Sequence, residues 1–171
     1  MTANIDFTTL SAQDVLDLAI LVEDEAAERY EELAHQLETH RTPEAAAFFR
    51  TMVRNEATHR ARLLERRTRL YGDAPRAVSR AMLWDVEAPE YDEARAFMSV
   101  RQAMETALRS EEKAHAYFVA ALAHVREPEV RALLEELRDD EVLHQEMIRR
   151  EMARLEMEPE AEDFVDEPTS Q

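Results

Sequence analysis

Apolar residues recur every three to four positions along four long stretches of the chain, and each stretch predicts an amphipathic helix. The first runs from about Ala12 to Glu38, with the stripe Leu16, Ala19, Ile20, Ala26, Ala27, Tyr30, Leu33 and Leu37. Ser11 stands where a cap belongs, and Asp14 follows three residues later as the acid of a capping box. The second runs from about Pro43 to Tyr71, with Phe49, Met52, Val53, Leu63, Leu64 and Leu70 on its stripe. Thr42 is its candidate cap, Pro43 suits the first helical position, and Gly72, the single glycine, is placed to end it. The third is predicted from about Asp92 to Val125 on Val100, Met104, Ala107, Leu108, Ala114 and Phe118. The fourth is predicted from Pro128 to about Met157 on Val130, Leu134, Leu137, Ile148 and Leu155.

Helices of this length reach about 45 Å at 1.5 Å per residue. The short connections Thr39 to Thr42 and Arg126 to Glu127 make two antiparallel hairpins. Between the hairpins, Asp73 to Pro89 has the length of a crossover, with a short helix expected around Val78 to Leu83. The expected architecture is an all-α four-helix bundle over residues 1–157, with a long crossover between the second and third helices. An acidic, disordered tail is expected over 158–171. The hairpins also repeat one another. Thr42-Pro43-Glu44 returns as Glu127-Pro128-Glu129, and Glu56-x-x-His59 returns as Glu141-x-x-His144, both 85 residues later. The segment from Glu23 to Tyr30 returns 88 residues later as Glu111 to Phe118.

Composition supports helices: alanine, leucine, glutamate, arginine and methionine dominate, while glycine occurs once. The formal charge of -17 disfavours nucleic acid as a partner and favours small cations. With no cysteine, the chain offers no disulfide, zinc-thiolate, iron–sulfur or rubredoxin-type site. Met1 to Leu10 lacks the pattern of a secretory signal, and no run of apolar residues suits a membrane span, so a cytoplasmic protein is expected.

The chemistry rests on acids that interrupt apolar stripes. A carboxylate-bridged dimetal centre in a bundle takes a glutamate from each of two helices and a Glu-x-x-His pair from each of the other two. Residues three apart share a helix face, so one metal ion can take both members of such a pair. Composition alone predicts roughly one histidine with an acid three residues before it. The chain has four, at Glu32/His35, Glu56/His59, Glu112/His115 and Glu141/His144. The bare motif therefore decides little, and the helix face must arbitrate. Glu32 shares its side with Glu25, Glu28 and Gln36, which reads as solvated. Glu56 lies among Phe49, Met52, Val53 and Leu63, and Glu141 among Leu134, Leu137 and Ile148. A boundary acid reaching solvent, or a core histidine bonded to a carbonyl, would explain either pair alone. It explains poorly two pairs at matching places in a repeat. The partner acids by the same test are Glu23 and Glu111, with Glu112 the poorer alternative because it sides with Glu105 and Arg109. His115 reads as a rim histidine one turn beyond Glu111. Hard carboxylates with one imidazole each suit iron or manganese better than copper, with zinc as a further substitute.

With these residues in place, the chain resembles the rubrerythrin branch of the ferritin-like superfamily over roughly residues 12 to 155. The pattern is Glu23, Glu56-x-x-His59, Glu111 and Glu141-x-x-His144, with intervals of 33 residues from Glu23 to Glu56 and 30 from Glu111 to Glu141. The second interval is rubrerythrin-like; bacterioferritin-like chains place that acid where Leu108 stands. The resemblance implies a ferritin-like bundle with a non-haem diiron centre, two iron ions that meet peroxide or dioxygen while Fe(II) is oxidised. It implies that Glu56 and Glu141 bridge the irons, that Glu23 and Glu111 are terminal ligands, and that His59 and His144 bind one iron each. Tyr30 is implied as a hydrogen-bond or electron donor to the site, with a plain core tyrosine the alternative. The chain departs from the family at Leu108, where rubrerythrins usually carry a seventh, glutamate ligand, which puts redox-linked ligand exchange in question. It also lacks a cysteine-bound rubredoxin iron, so electrons must come from a separate donor or from Fe(II) itself. The expected function is a diiron peroxidase or ferroxidase, with iron handling or storage and diiron hydroxylation as the alternatives, in a protein expected to form a homodimer.

Overall fold

Ser11 opens the first helix as its neighbours require. Its hydroxyl accepts the Asp14 amide at 3.1 Å, and the Asp14 carboxylate accepts the Ser11 amide at 3.0 Å, closing a capping box. The computed structural model describes residues 5–40, 42–83 and 99–157. Within them run four helices: α1 (Ala12–Thr39), α2 (Pro43–Tyr71), α3 (Val100–His124) and α4 (Pro128–Met157). α1 packs against α2 and α3 against α4, as two antiparallel hairpins, and no strand occurs among the described residues.

Gly72 ends α2 with φ +56°, a backbone conformation that a side chain would strain. Pro43 takes the first helical position. Thr42 does not cap with its side chain: its hydroxyl donates instead to the Leu37 carbonyl at 2.8 Å, tying the turn back to α1. The third helix begins at Val100 rather than near Asp92. Ser99 is extended there and forms a second capping box with Gln102, which fixes the start. The predicted helical residues 92–98, the far half of the crossover and the tail at 158–171 lie outside the described residues. In place of a helix over Val78 to Leu83 there is one 3-10 turn, Arg80–Met82, followed by the buried Leu83.

Two apolar clusters fill the interior. One joins Leu16, Ile20, Leu63, Phe118, Leu134 and Leu137 and is closed by Leu83 and by Phe7 from a 3-10 turn at Phe7–Thr9. The other joins Tyr30, Leu33, Phe49, Met52, Met104, Ala107 and Ile148. Each helix contributes to both, and the positions between the two clusters on all four helices are polar: Glu23, Glu56 and His59, Glu111, and Glu141 and His144. No described helix is long and apolar enough to cross a membrane.

Candidate metal centre

Helix periodicity places each of these side chains. Glu56 and His59, and Glu141 and His144, are three apart and point the same way from α2 and α4. Glu23 and Glu111 come from the first helix of each hairpin, and the bundle turns all six inward. Glu23, Glu56 and Glu141 are each 1% exposed, Glu111 is 2%, and the two histidines are 5%. Burial this complete is rare for acids and calls for compensation.

One ligand atom from each of Glu56, His59, Glu141 and His144 lies within 4.8 Å of all the others. Glu23 and Glu111 flank this group of four. His59 Nδ1 is 3.6 Å from Glu23 Oε2, 3.5 Å from Glu56 Oε2 and 3.9 Å from Glu141 Oε1. His144 Nδ1 is 3.2 Å from Glu111 Oε2, 3.2 Å from Glu56 Oε1 and 3.8 Å from Glu141 Oε2. Glu56 and Glu141 therefore turn one oxygen toward each histidine, whereas Glu23 faces only His59 and Glu111 only His144. The two imidazoles stack with ring centroids 5.1 Å apart.

The electrostatics show how badly these groups fit without a cation. Burial raises Glu23 and Glu141 well above the usual carboxylate range, and neighbouring acids raise Glu141 further. Burial also acts against ionised Glu56, but pairing with His144 and His59 outweighs it and brings that group down to about 2. Burial disfavours charge on both histidines, yet the surrounding acids overcome it and lift His59 to about 9 and His144 to about 10. Even so, Glu23 Oε1, Glu56 Oε1, both Glu141 oxygens and His59 Nδ1 have no hydrogen-bond partner. Buried acceptors of this kind cost about 1–3 kcal/mol each when left unmade, and more when charged. Divalent cations among four carboxylates and two imidazoles would satisfy these atoms together, so the donor set fits a metal centre.

Tyr30, fully buried, donates its hydroxyl proton to Glu111 Oε1. Burial and the charge of Glu111 raise its phenol well above the usual tyrosine range, so the proton stays on oxygen. The other sequence-level choices divide cleanly. Glu111 is buried and Glu112 exposed, and Glu32 and His35 are both exposed. His115 is half-buried and is not part of the tight group of four. Leu108 is half-buried and packs on the second apolar cluster, so no carboxylate stands at that position.

Two site neighbours escaped the sequence reading. Asp140 Oδ2 lies 3.5 Å from His59 Nε2, the outer edge of that ring. Gln145, 9% exposed, donates to the Glu111 carbonyl at 3.4 Å. Adjacency to Glu141 and His144 was the only signal for either. A cleft of about 310 Å³ between α2 and α4, lined by Asn55, Arg62, Asp140, Leu143 and Met147, reaches both histidines.

A family model described as Rubrerythrin matches residues 14–161. The fold is also similar to the crystal structure of an uncharacterized conserved protein from Magnetospirillum magnetotacticum MS-1, with a TM-score of 0.71 and 27% identity. That alignment covers 85% of this chain and 95% of the other. No curated protein matches the chain.

Proposed function

The chain belongs to the rubrerythrin family, and on that footing we propose that it is a non-haem diiron oxidoreductase that oxidises Fe(II) while reducing hydrogen peroxide or dioxygen. The observation that carries this reading is the buried layer of four carboxylates and two imidazoles whose inward atoms lack protein partners. In this reading Glu56 and Glu141 bridge two ions, because each turns an oxygen toward both histidines. Glu23 with His59, and Glu111 with His144, complete one ion each. Two ferrous ions held there would supply one electron each, so that one peroxide and two protons become two waters.

The chain's own residues set the conditions for that reaction. The apolar clusters on either side exclude water from the carboxylate layer and strengthen every charge interaction inside it. Tyr30 holds its proton against Glu111 and so fixes that carboxylate's orientation. The cleft between α2 and α4 gives a small oxidant a path to the histidine side. Leu108 offers no ligand atom, so the ligand set is the same six residues before and after oxidation. With no cysteine in the chain, the electrons come from Fe(II) itself or from a separate donor.

Stopped-flow mixing of anaerobic Fe(II)-loaded protein with hydrogen peroxide tests the proposal. The expected result is a fast rise in near-ultraviolet absorbance of carboxylate-bound ferric ions, at two irons oxidised per peroxide consumed. No absorbance change, or a rate equal to that of free ferrous ion, would refute it.

A further inference from the structure

The internal repeat makes the two halves of the centre alike in their six inward groups and unlike just outside them. Asp140 immediately precedes Glu141, and 85 residues earlier Asn55 immediately precedes Glu56. Both line the cleft that reaches the outer edges of His59 and His144. His59 presents Nδ1 to Glu23, Glu56 and Glu141, and its opposite nitrogen, Nε2, lies 3.5 Å from Asp140 Oδ2. Asp140 is held in turn by Arg62, whose Nη1 donates to the same oxygen at 3.1 Å. His59 and Arg62 are three apart on α2, so the α4 carboxylate is gripped by two residues of one helix face. The corresponding position beside the other half carries a neutral amide.

We propose that Asp140 is a positioning residue for the metal centre: it holds the His59 proton on Nε2, leaves Nδ1 free as the inward ligand atom, and makes the His59 half electronically distinct from the His144 half. This rests on the dimetal reading above. The physical cause is general. A carboxylate at the outer nitrogen of a ligand imidazole fixes its tautomer and ring orientation and raises its basicity as a donor. A carboxamide supplies no charge and does this less well. The two metal positions of this chain are therefore unequal in affinity and in electron richness, although the repeat supplies both with the same ligand types.

Cobalt(II) titration of the metal-free protein, read by calorimetry and by visible absorbance, tests the inference. The Asp140 side chain is 35% exposed, so the bundle tolerates its replacement by an isosteric amide. Wild type is expected to take two ions. Asp140→Asn is expected to take two as well, with one step weakened about 10- to 100-fold and its visible band shifted. His59→Ala should remove that same step. Asn55→Asp should alter the step that Asp140→Asn leaves alone. A titration of Asp140→Asn that superimposes on wild type would overturn the role of Asp140. Equal weakening of both steps would overturn it too, because it would mean general loosening of the bundle. Failure of the wild-type protein to take up cobalt would overturn the dimetal reading itself, a result distinguishable from either of these.

Discussion

Glutamates on an apolar helical stripe were the most informative residues in the chain. A glutamate leaves water only where something compensates its charge, so position on the stripe separates Glu56 and Glu141 from Glu32. Mutation can test that separation directly. Glu56→Ala and His144→Ala are each expected to lower iron bound after anaerobic loading from two ions to one or fewer, and Glu32→Ala is expected to retain both. Elemental analysis after gel filtration reads the difference, and equal iron in all three variants would rule out the site. The six inward residues were legible because two of them repeat at one fixed spacing and all of them break an apolar pattern. Asp17 and Arg67 were not. They too are buried, with Arg67 Nε donating to Asp17 Oδ1 at 3.0 Å and its Nη1 to the Gly72 carbonyl at 2.5 Å. Charge on a helix normally means solvent, and only tertiary packing brings these two together over 50 residues. Asp140 escaped for a related reason: its partner His59 belongs to another helix.

At the scale of the elements, three of four helix starts followed from local signals, and the fourth did not. Ser11 and Pro43 announce α1 and α2, and Pro128 announces α4. Upstream of α3 the helical spacing of apolar residues continues past its true start, and that periodicity outweighed the Ser-x-x-Gln signature at Ser99 and Gln102. The box supplies two orphan amides at once, Gln102 N to Ser99 Oγ at 3.2 Å and Ser99 N to Gln102 Oε1 at 2.9 Å. Ser99→Ala is therefore expected to destabilise the protein by about 1 kcal/mol, the usual loss for a capping side chain. Thr42→Ala removes no cap from α2, because its hydroxyl bonds to the Leu37 carbonyl of the preceding helix. A hydrogen-exchange comparison separates the two. Ser99→Ala should expose amides in the first turn of α3 alone, and Thr42→Ala should loosen the turn between α1 and α2. Unchanged exchange at Gln102 and Ala103 in Ser99→Ala would contradict the capping box.

At the scale of the whole molecule, the bundle is two apolar clusters with a charged layer between them, and that arrangement makes its stability depend on pH and on metal together. In the metal-free protein His59 and His144 bind protons more tightly when folded, near 9 and 10 against an ordinary 6.5. Glu23 and Glu141 are likewise raised above their ordinary 4.5. For all four groups the folded state carries more protons than the unfolded chain, so their contribution falls as pH rises. The histidine part is complete below about 6.5 and is lost as pH passes through about 9 to 10. Glu56, lowered to about 2, has the opposite sign: its contribution is present above 4.5 and vanishes only in strong acid. The metal-free urea midpoint is thus expected to decline steadily from about pH 6 to about pH 10. Bound divalent metal takes over from those protons and needs the same groups deprotonated, so loading should raise the midpoint and reverse or flatten the alkaline decline. Urea titrations of metal-free and metal-loaded protein across that range measure both slopes. A metal-free midpoint that holds level or climbs with pH would show that the charged layer is solvated rather than buried.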